Sequence, residues 1–180
     1  MENGTLPAPV PKREYTWRET AAANLPYAAM ILLGAATIAL GFPRAPWAAA
    51  GAVAYGVYGV GGAVWIMIFV CPYCAYYGTR GCPCGYGLVA ARLARKGDRE
   101  CFAPKFKRHI PAIVPLWIIP LAAGVIALVQ SFNGWLLGLV GVFAVNSYVL
   151  LPLLAQRHSC GDCPQREGCP WMGGKKNAEC

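Results

Sequence analysis

The chain has 180 residues, of which 57% are hydrophobic and 13% charged, and a formal net charge of +8. Soluble domains carry about twice that charged fraction, so the composition excludes an ordinary water-exposed globular domain. The distribution sharpens the exclusion, because no Asp, Glu, Lys, Arg or His occurs within 25–42, 45–70 or 110–156.

The first segment, 1–24, has no basic stretch leading into an apolar core and a small-residue cleavage site. No signal peptide is therefore expected to be removed, and "PAPVPK" reads as an extended tail. A helix needs about 20 mostly apolar residues to cross a bilayer, and four such spans follow: 25–42, with room to extend back to Ala21, then 46–70, 110–132 and 134–154. "PRAP" separates the first two and "SFNG" the last two, both the length of a helix-hairpin turn, and Asn133-Gly134 is itself a turn signal. The expected fold is all-α and polytopic: transmembrane hairpins over 25–70 and 110–155, a cysteine-rich basic loop over 71–109, and a cysteine-rich tail over 156–180.

Lys and Arg flanking membrane spans stay on the cytoplasmic side. Three of them precede the first span, eight lie in the loop and four in the tail, so 15 of the 16 fall on one face, with Arg44 the exception. That face is expected to be cytoplasmic, in the inner membrane, with both termini on it. All nine cysteines lie there too. Cytosolic thiols are kept reduced, which favours metal binding or redox chemistry over a disulfide framework.

The cysteines form two groups. Cys71, Cys74, Cys82 and Cys84 make up the loop cluster, and Cys160, Cys163, Cys169 and Cys180 the tail cluster. Two cysteines separated by two residues let a tight turn aim both sulfurs at one ion, and four thiolates satisfy a tetrahedral zinc or an iron-sulfur cluster. Gly78, Gly81, Gly85 and Gly87 suit backbone that must wrap closely with positive φ. The knuckle-like pairs "CPYC" and "CGDC" favour zinc, whereas the four Cys-Pro steps favour an iron-sulfur cluster, so both cofactors stay open. His158 is a possible substitute for Cys180 in a Cys3His set. His109 reads as a headgroup contact, and Cys101 stands apart from both groups.

Three short resemblances accompany these clusters. "CPYC" at 71–74 resembles the redox tetrapeptide of glutaredoxins, which implies a thiol-disulfide oxidoreductase using Cys71 and Cys74. "CPC" at 82–84 resembles the metal motif of copper- and zinc-transporting P-type ATPases, although here it lies outside the spans. Paired cytoplasmic cysteine motifs beyond four spans are similar to those of membrane ferredoxin-like proteins of quinol oxidation pathways, without their spacing. None of the three extends over the chain.

The spans themselves hold no ionisable group, which argues against a proton-coupled pump. Asn146 is expected to make an interhelical hydrogen bond, and Pro111, Pro115 and Pro120 to bend the third span. The small residues Ala48, Ala52 and Gly56, with Gly134 and Gly138, are expected to be helix-packing faces. The stretch "GLVAARLARKGDRE" reads as a short surface helix. With Lys105, Lys107 and Arg108 it forms a basic belt suited to anionic lipid headgroups rather than nucleic acid. With no nucleotide, haem or acid-base signature, the expected function is a membrane-anchored metal-binding protein, iron-sulfur or zinc, acting as a small subunit of a membrane redox complex beside other membrane proteins. Thiol-disulfide exchange through "CPYC" and soft-metal (Hg, Cu or Zn) binding and transport are the alternatives.

Overall fold

The computed structural model describes residues 13–159, 163–166 and 169–170. It is 77% helix, with no strand among the described residues. Helix α1 (Trp17–Gly41) begins eight residues before the apolar run at 25, because a capping box extends it. The Thr16 hydroxyl accepts from the Glu19 N–H at 3.4 Å, the Glu19 carboxylate accepts from the Thr16 N–H at 2.9 Å, and Arg13 pairs with the same carboxylate.

Helix α2 (Trp47–Phe69) runs into a 3₁₀ turn at Cys71–Tyr73. Two short helices follow, α3 (Tyr86–Leu93) and α4 (Phe102–His109). Helix α4 leads through a 3₁₀ turn at Ile110–Ile113 into α5 (Pro115–Gln130). Helix α6 (Gly134–Val145) passes into a π-helical turn at Asn146–Leu150, the short α7 (Leu151–Leu154) and a second π-helical turn at Ala155–Ser159.

Four helical runs are long and apolar enough to cross a membrane: Trp17–Gly41, Trp47–Tyr73, Arg99–Gln130 and Gly134–Arg157. The third starts 11 residues earlier than the charge-free stretch at 110. Apolar content marks where a helix is buried, not where it starts, and Lys107, Arg108 and His109 in the last turn of α4 suit the negative end of its dipole.

Helix α1 packs against α2, α5 and α6, and α5 against α6. Its face meets a core of Met30, Ile38, Tyr55, Leu116 and Phe143. A second cluster of Ala127, Leu136 and Val140 fills the other end between α5 and α6. The outer faces stay apolar and uncovered, with Leu32 69% and Val57 68% exposed, as suits hydrocarbon rather than water.

The closest helix approaches are not at the glycines expected from spacing. A Cβ on Gly34 would meet the Tyr55 ring at 2.6 Å, and one on Gly124 would meet Val140 at 2.4 Å. A Cβ on Gly56, Gly134 or Gly138 would meet nothing within 4 Å. A four-residue repeat names a helix face, but which face turns inward depends on where the large partners stand.

The prolines leave backbone carbonyls without their usual partners, and aromatic side chains from neighbouring helices take them. Pro120 has no N–H for the carbonyl of Leu116, which accepts instead from the Tyr55 hydroxyl at 2.8 Å. In the 3₁₀ register that ends at Ile113, Pro115 deprives Ala112, whose carbonyl accepts from the Tyr58 hydroxyl. In the π-helical register Pro152 deprives Ser147, and the Trp117 indole N–H fills that place at 3.1 Å. Asn146 donates its amide N–H to the carbonyl of Pro26 at 2.9 Å, the interhelical bond expected of it.

Candidate functional site

The loop cysteines sit where α2 gives way to tight turns. Cys71 opens the 3₁₀ turn, and its carbonyl accepts from the Cys74 N–H at 3.0 Å. The chain then reverses at Gly78, whose φ of 72° few other residues adopt, and the Gly78 N–H reaches the Gly87 carbonyl at 3.0 Å. Cys82 and Cys84 flank a turn closed by the Gly85 N–H on the Cys82 carbonyl at 3.0 Å, and Gly85 itself, at φ 71°, begins α3. Gly87 lies so close to the Tyr76 carbonyl that a Cβ there would stand 2.3 Å from its oxygen. Of the four glycines marked in the sequence, two supply positive φ and a third supplies the close approach.

The tail contributes a second turn system. The Arg166 N–H bonds the Cys163 carbonyl at 3.0 Å, and the Cys169 N–H bonds the Arg166 carbonyl at 3.2 Å. Between them Gln165 reaches into the loop. Its amide oxygen accepts from the Ala75 N–H at 2.8 Å, and its amide nitrogen donates to the carbonyls of Tyr73 and Arg99 at 3.2 Å each. On the other side of the loop the Asn24 amide donates to the carbonyl of Thr20 in α1 at 2.8 Å and to that of Cys84 at 3.0 Å.

The two sequence clusters therefore meet. Cys71 is within electrostatic reach of Cys74, Cys82 and Cys84, and Cys74 of Cys82, Cys163 and Cys169. Cys71, Cys74, Cys82, Cys84, Cys163 and Cys169 form no disulfide, Cys169 buried and the others half-buried. Burial pushes the Cys74 thiol up to about 12, opposed by a backbone hydrogen bond at Tyr76 and reinforced by Cys82, Cys163 and Cys169. Burial also pushes Cys163 up, against a backbone hydrogen bond at Gln165. Tyr86, half-buried beside the same cysteines, is raised by burial first and by Cys84 next. A group of neutral thiols packed out of water is a poor anion site and a poor nucleophile by itself, whereas a bound cation would supply the charge that makes thiolates favourable.

Among the described residues, no three Cys, His, Asp or Glu side chains already stand in an arrangement that holds one metal ion. Cys160 and Cys180 lie outside the described residues, as does the side chain of His158. Cys101, which the spacing set apart, is disulfide-bonded. This departs from the reduced state expected of all nine cysteines on a cytoplasmic face. His109 stacks on Phe69 at 5.0 Å with Trp65 at 5.7 Å. Sequence reasoning missed Gln165, Asn24 and Tyr86. Uncharged amides and a tyrosine carry no spacing rule, and the one available signal was that Gln165 lies between two tail cysteines.

Comparison of the chain with family models, with curated proteins and with solved structures finds no match.

Proposed function

We propose that this protein is a multi-pass inner-membrane protein whose loop and tail cysteines bind one or more metal centres, iron-sulfur or zinc, at the cytoplasmic face. In this reading the four spans pair as two hairpins with both termini in the cytoplasm, and the protein serves as a small subunit or accessory of a membrane redox complex. The observation that carries the reading is the meeting of Cys74 and Cys82 with Cys163 and Cys169, residues from two segments separated by two membrane spans. Six cysteines gathered from two segments with no disulfide among them supply the soft thiolate donors that a zinc ion or an iron-sulfur cluster takes. The candidate ligands are Cys71, Cys74, Cys82, Cys84, Cys163 and Cys169, with Cys160, Cys180 or His158 completing the set.

The basic belt of Arg92, Arg95, Lys96, Lys105, Lys107 and Arg108 supports contact with anionic headgroups, each residue contributing about 1 kcal/mol near such a surface. Metal and acid-labile sulfide analysis of protein purified anaerobically in detergent tests the function. Stoichiometric iron with sulfide identifies an electron-transfer subunit, zinc alone identifies a clasp joining loop to tail, and no stoichiometric metal would falsify the reading.

One observation favours a second reading, thiol-disulfide exchange: Cys101 is disulfide-bonded in a cap where Cys71, Cys74, Cys82, Cys163 and Cys169 are not. The raised Cys74 thiol weighs against "CPYC" as the attacking pair, because exchange runs through a thiolate. Site-resolved trapping of a mixed disulfide at Cys71 decides between the two.

A further inference from the structure

We infer that Gln165 is the positioning residue of the cysteine site, docking the tail turn on the loop so that Cys163 and Cys169 face Cys74 and Cys82. The inference deepens the metal-binding reading, but its geometry stands apart from it. Gln165 fills three backbone valences of the loop: the N–H of Ala75 and the carbonyls of Tyr73 and Arg99. These three groups belong to different turns. Tyr73 ends the 3₁₀ turn that begins at Cys71, Ala75 follows Cys74, and Arg99 opens the turn before α4. One carboxamide thus ties both ends of the loop to the tail.

The chemistry of the side chain is specific. Joining one N–H and two carbonyls requires an acceptor and two donors on a single planar group, which among side chains only a carboxamide presents without charge. Glutamate keeps the acceptor but turns a carboxylate toward two carbonyl oxygens. Alanine leaves the Ala75 N–H and the Tyr73 carbonyl without the partner Gln165 supplies and leaves the Arg99 carbonyl with the Phe102 N–H alone. Gln165 also lies two residues from Cys163 and four from Cys169, so its fixation fixes the direction in which both thiols approach. Asn24 makes a comparable tie on the opposite side, from α1 to the Cys84 carbonyl, and provides the internal control.

The experiment compares full-length reduced, chelator-treated protein in detergent as wild type, Gln165→Ala, Gln165→Glu and Asn24→Ala, reading alkylation of each cysteine by mass spectrometry. The expected result is that both Gln165 variants accelerate labelling of Cys163 by roughly ten- to a hundredfold, as follows from losing two or three hydrogen bonds, while Cys71 and Cys82 keep their rates. Asn24→Ala is expected to accelerate Cys84 and leave Cys163 unchanged. An unchanged Cys163 rate in Gln165→Ala overturns the inference. So does uniform acceleration of every cysteine, which would mean that the residue merely holds the loop folded.

A cobalt titration provides the second readout. Gln165→Ala is expected to weaken Co(II) binding by about 10- to 100-fold and to reduce the thiolate-to-cobalt charge-transfer band. Released Cys163 with unchanged cobalt affinity overturns the role of Gln165 in assembling the site. Released Cys163 in a protein whose wild type binds no cobalt upholds the positioning role and removes the metal-binding reading instead.

Discussion

In the membrane bundle, the carbonyls freed by Pro120, Pro115 and Pro152 are taken by Tyr55, Tyr58 and Trp117, rigid side chains reaching across from a neighbouring helix. In the cysteine-rich cap, the turns between α2 and α4 are tied by Tyr77 and Thr79 from within the loop and by two carboxamides, Gln165 and Asn24, from outside it, with reversals made by Gly78 and Gly85. The bundle satisfies its backbone from within helices and needs help only where proline interrupts them, because hydrocarbon offers no partner. The cap has little regular structure: it closes its turns with bonds such as Gly78 to Gly87 and Gly97 to Pro72, and takes further ties from α1 and the tail. The bundle can therefore hold its shape without the tail, whereas the cap's shape, and with it the relation among the thiols, depends on segments distant in sequence.

The comparison is tested first where the effect is largest. Cys74 in the metal-free cap, with its thiol at about 12, should carry far less thiolate near pH 8 than an exposed cysteine. Against an ordinary thiol of about 8.5, that amounts to roughly 10³-fold slower iodoacetamide labelling. The sign follows from the raised value: labelling should speed up about tenfold per pH unit until the thiol ionises. A rate near that of free cysteine at pH 8 would mean that the cap is open to water.

Gly87→Ala comes next. It forces a Cβ against the Tyr76 carbonyl oxygen, a backbone atom that cannot turn aside. The expected cost is about 2–4 kcal/mol, confined to the cap: faster alkylation of Cys82 and Cys84, with thermal unfolding of the bundle unmoved. If cap and bundle lose stability together, the separation drawn between them is wrong.

Tyr55→Phe reverses the test. It strands the buried Leu116 carbonyl at a cost of about 1–3 kcal/mol, visible in thermal unfolding in detergent, and should leave cysteine labelling unchanged. Smallest of all, Gly56→Ala and Gly138→Ala should each shift bundle stability by less than about 0.5 kcal/mol, since no atom stands within 4 Å of the added methyl. A larger loss at either glycine, measured by unfolding as a function of protein concentration, would reveal a partner helix on that face.

The four apolar helical runs and their number were legible from the chain, because long uncharged stretches have few physical outcomes at this length. Asn146 was readable as an interhelical donor for the same reason: one amide in an apolar span must find a partner. The glycines of the loop were readable in kind, as positions of reversal and close approach, but not the specific carbonyl that Gly87 meets. Helix starts were less legible. The Thr16 and Glu19 capping box lies in polar sequence that a hydropathy reading passes over, as does the helical run from Arg99.

By itself, then, the sequence determined four stretches long and apolar enough to cross a membrane and two cysteine groups outside those uncharged stretches, because hydrophobic length and cysteine spacing are local properties of a chain. Tertiary structure alone decided that the groups meet and that Gln165 and Asn24 hold the loop from either side. It also decided that Tyr55, Tyr58 and Trp117 repair the proline breaks, and that Gly34 and Gly124 rather than Gly56 and Gly138 let the helices close. Each of these rests on a partner tens of residues away, and a hydrogen-bonding group carries no mark in its own neighbourhood of which distant backbone it will satisfy.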